Sequence, residues 1–387
     1  MFHRILMRLT VLALSIAVVS ACSAPPPPAT NPPEDTTSPP TLAHIRTVEM
    51  NVGTHRPEIL VTADGHIVVA VVEPGAQDDP AGKVKHRAYL FDSDFAAMGE
   101  SFVLTRITDE FGEPADHRAT LVNGELVVVY QTLTYADGVA PVGGPAETYA
   151  ETQSLMLTRF GLDGTEQFRG AIVAGATDFT ADNFPDHCLV WHDDLNRLLV
   201  STGTTGAALK LREVDLNASV LATHSYATSE TGVQGVIGNS LLYNAGKLLL
   251  FSATGPAPGA PRLAATAILA DFTLGSTLTA TVADREQSFP TGNLAYGDFV
   301  FVGYISRPAG GDVAMESNPY YPYLKILDGE SLEVVADVAV GDGSAGFSHT
   351  HPTLATLGSR LFVAWSRRDA SGISPQVVID EYQITQP

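Results

Sequence analysis

A strand, a tight turn and a strongly apolar strand recur six times along the 387 residues, and this repeat limits the fold more than any other feature. The copies are PEILVTADGHIVVAVVE from Pro57, ATLVNGELVVVYQT from Ala119, CLVWHDDLNRLLVSTGT from Cys188, SLLYNAGKLLLFSATG from Ser240, NLAYGDFVFVGYISR from Asn293 and PTLATLGSRLFVAWSRR from Pro352. Their turns carry Gly65, Gly124, Asn196, Gly246, Gly297 and Gly358, at intervals of 59, 72, 50, 51 and 61 residues. A looser third strand follows each hairpin, and five of the six lead on to a fourth. The sixth unit is cut short at Pro387, and its missing strand is supplied by LAHIRTVEMN from Leu42. Alternation of apolar and polar residues with no helical period predicts an all-β chain. Six four-stranded units, one built from both termini, predict a six-bladed β-propeller whose last blade is closed by the N-terminal strand. A pair of β-sandwiches would not require six equal hairpins or a split last unit.

The N-terminus predicts where the domain works. Arg4 and Arg8 precede an apolar run from Leu9 to Val19, too short for a membrane span and suited to a signal peptide. Val19-Ser20-Ala21-Cys22 resembles the lipobox of bacterial lipoproteins, which implies cleavage before Cys22 and lipidation of its thiol. Residues 1–21 are then a signal peptide, residues 22–40 a lipidated, proline-rich tether, and residues 41–387 the propeller. Eight prolines between residues 23 and 40 favour an extended segment of about 50 Å. Ser23 in place of Asp implies, in a Gram-negative cell, export to the outer membrane. The expected localisation is the cell envelope, with membrane contact through the lipid only.

Loss of Arg4 and Arg8 takes the net charge from −21 to −23, which excludes nucleic acid as a partner. Of two cysteines only Cys188 is left after lipidation, so no disulfide within the domain is expected, and Cys188 reads as a buried apolar filler.

Propeller connectivity sorts the loops onto two faces. Turns within each hairpin and between third and fourth strands are short. The long connections, at 74–85, 133–153, 254–263, 306–322 and 367–376, all fall on the opposite face, where binding residues are expected. The same face receives His55-Arg56, His117-Arg118, Asp186-His187 and His349-Thr350-His351 at the starts of inner strands, with Arg307 and Arg367-Arg368 at strand ends. We take His55, Arg56, His117, Arg118, His187, Arg307, His349, His351 and Arg367 as the candidate ligand-binding residues. Pleating allows only one of each adjacent pair to face the axis. Such arginines suit an anionic ligand, although capping and pairing with acidic loops would also use them. His349 and His351 point the same way, but no spacing specifies a metal site, and no cofactor motif occurs. Tyr320, Tyr321 and Tyr323, in NPYYPY from Asn318, suit either stacking on sugar rings or packing of a long loop.

The first blade resembles the opening blade of the sialidase superfamily: Arg56-Pro57, the hairpin through Gly65, and the acidic EPGAQDD from Glu73 occur in the family's order. The resemblance implies six blades, an arginine cluster gripping a sugar carboxylate, Asp78 or Asp79 as acid, and a tyrosine nucleophile for which Tyr304 is one position. The Asp-boxes of that family, Ser-x-Asp-x-Gly-x-x-Trp, do not occur in the turns between third and fourth strands. The leading expectation is a lipid-anchored propeller that binds a ligand or envelope protein on its long-loop face without catalysis. The alternative is a sialidase-like hydrolase or a lyase acting on an acidic glycan, with Arg56, Arg118 and Arg307 or Arg367 as a carboxylate clamp. A purely structural envelope partner is a third reading.

Overall fold

Six four-stranded antiparallel sheets make up the computed structural model. It describes residues 38–386 except residue 54 and the connections 74–83, 107–112, 136–150, 178–186, 204–207, 228–238, 255–261, 281–284, 309–319, 342–346 and 369–375.

The chain begins with β1 (Thr41–Gly53). Blade 1 then runs through β2 (His55–Val61), β3 (Ile67–Val72), β4 (Val84–Phe91) and β5 (Phe102–Arg106). Blade 2 holds β6 (Glu113–Val122), β7 (Glu125–Thr134), β8 (Thr152–Phe160) and β9 (Glu166–Ala176). Blade 3 is β10 (Cys188–His192), β11 (Arg197–Thr202), β12 (Leu209–Val214) and β13 (Val220–Tyr226). Blade 4 is β14 (Asn239–Asn244), β15 (Lys247–Thr254), β16 (Arg262–Ile268) and β17 (Leu274–Ala280). Blade 5 comprises β18 (Arg285–Tyr296), β19 (Phe299–Pro308), β20 (Tyr321–Asp328) and β21 (Val334–Ala339). Blade 6 comprises β22 (Phe347–Leu357), β23 (Arg360–Arg368) and β24 (Gln376–Thr385), and β1 pairs with β24 as its fourth strand.

The expected closure is therefore present, with Leu42 opposite Ile384 and Val48 opposite Ile379. Inner strands touch in sequence order around the ring, from β2 to β6, β10, β14, β18 and β22 and back to β2.

Second strands are apolar on both sides because both sides face a core. In β3 every residue is buried: Ile67, Val69 and Val71 pack toward blade 6, while Val68 and Ala70 pack toward blade 2. Among the described residues there are six such apolar clusters, one for each seam between blades. Fourth strands face solvent on one side, so β21 alternates between exposed and half-buried positions. The hairpins of blades 2 and 4 turn through Asn123-Gly124 and Ala245-Gly246, with all four residues at positive φ, the geometry that matches strand twist.

Blades 1 to 5 also share a turn that lacks the Asp-box sequence but uses an aspartate. Between third and fourth strands, Asp92, Asp163, Asp215, Asp271 and Asp328 each accept a backbone N–H two residues on. The carboxylate thus replaces a missing ladder bond where the chain reverses.

Candidate functional site

The six inner strands enclose a channel of about 180 Å³, and every blade puts at least one polar side chain on its wall, among them Glu58, Arg118, Cys188, Ser240, Thr291 and Thr353. These groups join the blades. Arg118 Nη1 donates to Glu58 Oε1 (3.1 Å) between blades 1 and 2. His187 Nε2 donates to the Val129 carbonyl (3.0 Å) between blades 2 and 3, which fixes its proton on that nitrogen. The Cys188 thiol and the Ser201 hydroxyl both donate to Asn239 Oδ1, at 2.8 and 2.7 Å. Ser240 donates to the Pro290 carbonyl, Thr291 to Pro352 (3.2 Å) and Thr353 to Pro57 (3.0 Å). Each of the six seams is thus crossed by a side-chain hydrogen bond. Cys188 is more than a filler, since it is one of these links; burial pushes its thiol up to about 12, so it stays protonated.

Charge is concentrated where blades 1 and 2 meet. Arg56 Nη1 reaches from β2 to Asp116 Oδ2 on β6 (2.5 Å), and Arg118 reaches back from β6 to Glu58 on β2. Two crossed ion pairs thus lie side by side, built from residues two apart on each strand. Arg56 holds φ at 57°, a left-handed conformation that costs a side-chain-bearing residue about 1–3 kcal/mol and is found where the surroundings enforce it. Burial raises the Glu58 carboxyl to about 7; Arg118 opposes the shift and Asp116 adds to it. Burial also works against the Arg118 charge, but Asp116 and Glu58 outweigh it and keep the guanidinium cationic.

His117 lies behind these pairs with no solvent exposure and no hydrogen-bond partner for either ring nitrogen among the described residues. Burial, then the nearby His86, lowers its pKa well below the usual range, so it is neutral. The His86 ring stands 4.7 Å away and meets Tyr130 edge-on at 5.9 Å. Tyr130 in turn accepts a hydrogen bond from Arg169 Nη1 (3.0 Å).

Two opposed pH effects follow. Glu58 binds its proton more tightly folded than unfolded, so its contribution is full below about 4.5 and is lost as pH rises to about 7, a change of about 3 kcal/mol. His117 binds its proton less tightly folded, so its contribution is present above about 6.5 and lost below. Urea unfolding across pH 4–9 is expected to show Glu58→Gln losing the decline toward pH 7 and His117→Phe losing part of the acid decline. Unchanged profiles in both variants would contradict this assignment.

The structure thus brings together Arg56, His117, Arg118 and His187 of the sequence candidates, and separates others from them. Pleating acts as expected: Arg118 lines the channel while His117 packs in the seam. Arg307 and Arg367 belong to blades 5 and 6. Arg367 donates to Glu49 and to Gln376 Oε1 (3.1 Å), on the strands outside its own. His55 starts β2, and His349 and His351 lie in β22, but their side chains are outside the described residues, as are Asp78 and Asp79. Tyr304 does not face the channel. It is fully buried in blade 5, donating to Asp337 Oδ1 (2.7 Å) beside Lys325. Among the described residues no three His, Cys, Asp or Glu side chains are grouped to hold a metal. Glu58 and Asp116 were missed from sequence, although Arg56-Pro57-Glu58 and Asp116-His117-Arg118 carry the signal: opposite charges two apart at equivalent points of neighbouring inner strands.

The class of protein this defines is a six-bladed β-propeller with a polar axis. No family model and no curated protein matches the chain. Among solved structures it is similar to a Trypanosoma rangeli sialidase in complex with the inhibitor DANA, at 8% identity and a TM-score of 0.50. That match covers 85% of this chain and 55% of the sialidase, so the chain spans little more than half the sialidase's length. A GH43 endo-arabinanase from Bacillus licheniformis matches at 15% identity and a TM-score of 0.44, over 85% of this chain and 94% of the other. An α-L-arabinanase from Cellvibrio cellulosa matches at 12% and 0.44, over 87% and 92%. At 8% identity the likeness to the sialidase is one of fold.

Proposed function

We propose that the chain is a glycoside hydrolase whose reaction takes place at the blade 1–2 side of the channel mouth. The observation that carries this is the pairing of Glu58 and Arg118 on the channel wall, with Asp116, Arg56 and His117 packed beside them where blades 1 and 2 meet. Glycosidic cleavage needs one carboxyl group that keeps its proton near neutrality and a second that stays ionised. Glu58, raised to about 7, suits the acid, and Asp116, paired with Arg56, suits the carboxylate. Glu58 would protonate the leaving oxygen, with Arg118 holding its carboxyl in position, while water adds to the anomeric carbon and gives its proton to the Asp116 carboxylate. This departs from the carboxylate clamp expected from sequence. Arg56 and Arg118 each already hold a carboxylate of the chain itself, so they favour proton transfer over recognition of an acidic sugar.

Export through residues 1–21, attachment through Cys22 and a tether to residue 40 form part of this proposal, with the propeller working in the cell envelope. The non-catalytic binding reading has one observation in its favour. The Glu58 side chain is 9% exposed and that of Asp116 0%, so a ligand must come deep into the channel to reach either carboxyl group.

The test is release of chromophore from aryl pentosides and hexosides, and of reducing ends from arabinan and xylan, by wild type, Glu58→Gln and Asp116→Asn. Cleavage of one of these that falls above about pH 7 and is lost in both variants is the expected result. Wild-type protein that binds a glycan but cleaves none would transfer the assignment to the binding reading.

A further inference from the structure

Arg307, Arg367 and the aromatic run from Tyr320 play no part in the blade 1–2 cluster, and strand alternation shows where they belong. Phe301 of β19, Leu324 of β20 and Val363 and Trp365 of β23 share the core between blades 5 and 6. Counting in twos toward the long-loop ends brings Arg307 and Arg367 into that same seam. The Arg307 guanidinium carbon lies 4.4 Å from the centre of the Tyr320 ring. Arg307 is only 6% exposed and Tyr320 is half-buried, so the cation supports one face of the ring and fixes its orientation. Tyr321, the next residue, points to the other side of the strand and is 42% exposed. Tyr323 is tied down against Tyr304, with ring centres 5.8 Å apart.

The long-loop end of β20 therefore presents two aromatic rings, one braced by a cation and one open to solvent. Blade 5 is two blades away from blade 1, which carries Glu58, and β20 is a third strand, about 10 Å farther from the axis than the inner strand. A single sugar at Glu58 does not extend that far.

We infer that Tyr320 and Tyr321 form a stacking subsite for an oligosaccharide, so that the ligand is a glycan chain lying across the channel mouth rather than a free sugar. This rests on the hydrolase reading for the position of the reacting bond. It does not rest on it for the stacking itself.

Calorimetric titration in the Glu58→Gln background, where the glycan stays intact, tests it with hexamers of α-1,5-linked arabinose and of β-1,4-linked xylose and with the matching monosaccharides. Binding of a hexamer is expected, weakened about tenfold by Tyr320→Ala or Tyr321→Ala, the loss of one aromatic contact. Tyr320→Phe keeps the ring and is expected to keep the affinity, and no variant is expected to change monosaccharide binding. Unchanged hexamer affinity in both alanine variants, or no hexamer bound at all, overturns the subsite. The two proposals fail separately. Tyrosine-dependent binding with no glycan cleaved by wild type removes the hydrolase and leaves the subsite, whereas Glu58-dependent cleavage with tyrosine-independent binding does the reverse.

Discussion

A chain beginning at residue 55 is expected to lose its cooperative unfolding transition and to aggregate. Such a chain lacks β1, whose pairing with β24 extends from Thr41 opposite Thr385 to Gly53 opposite Gln376. Roughly ten ladder bonds, at about 1 kcal/mol net each, equal the whole stability of an ordinary domain. The loss goes further because the last blade is clasped by side chains. Asp380, with no solvent exposure, accepts hydrogen bonds from Thr47 (2.6 Å) and Trp365 Nε1 (2.7 Å), and lies 3.2 Å from His44 Nε2. Glu381 is held between Arg46 (2.7 Å) and Arg360 (2.5 Å). Removing β1 strips His44, Arg46 and Thr47 from these carboxylates and leaves β24 as an open edge. Asp380→Ala keeps the strand but orphans buried donors, with an expected cost of about 3 kcal/mol. Urea unfolding and size-exclusion chromatography check both. A truncated chain that unfolds at the wild-type midpoint would show that β1 does not close the ring.

Arg118→Ala is expected to cost about 3–5 kcal/mol at pH 8, because it leaves Glu58 buried beside Asp116 without a counter-charge. The cost has a pH dependence of known sign. The Glu58 carboxyl already has a folded pKa of about 7, and losing Arg118 removes the influence that lowers it. The variant's deficit is therefore largest above pH 7 and shrinks toward pH 5, where Glu58 is neutral in either protein. Combining Arg118→Met with Glu58→Gln removes both charges and is expected to recover most of the loss, since a buried pair replaced together costs little. Chemical unfolding of Arg118→Met, Glu58→Gln and the double variant at pH 5 and pH 8 completes the cycle. A deficit for Arg118→Ala that is equal at both pH values would mean that Arg118 acts through packing alone.

Much of the ring was legible before any coordinates. The apolar second strands could be read from runs such as IVVAVV at Ile67, because a strand enclosed by two seams has no polar side. The split last blade could be read from the strand left over at Leu42. The aspartate-capped turns carry no Asp-box sequence to mark them, because the physics needs only a carboxylate near unpaired backbone N–H groups.

The site was legible only in part. His117, Arg118 and Arg56 stood out as rare cationic and titratable groups at strand starts in an acidic chain. Their partners did not, because Glu58 and Arg118 are 60 residues apart and meet only when two blades lie side by side. Arg307 and Arg367 looked like further members of one cluster, and the ring places them in the seam between blades 5 and 6, two seams away from it. By itself, then, the sequence determined strand, turn, repeat and closure, since backbone geometry sets these within a few residues of each position. Which charges face each other, which carboxyl keeps its proton and which seam holds each arginine were decided by the tertiary structure, because those depend on distances and burial that exist only after the six blades close.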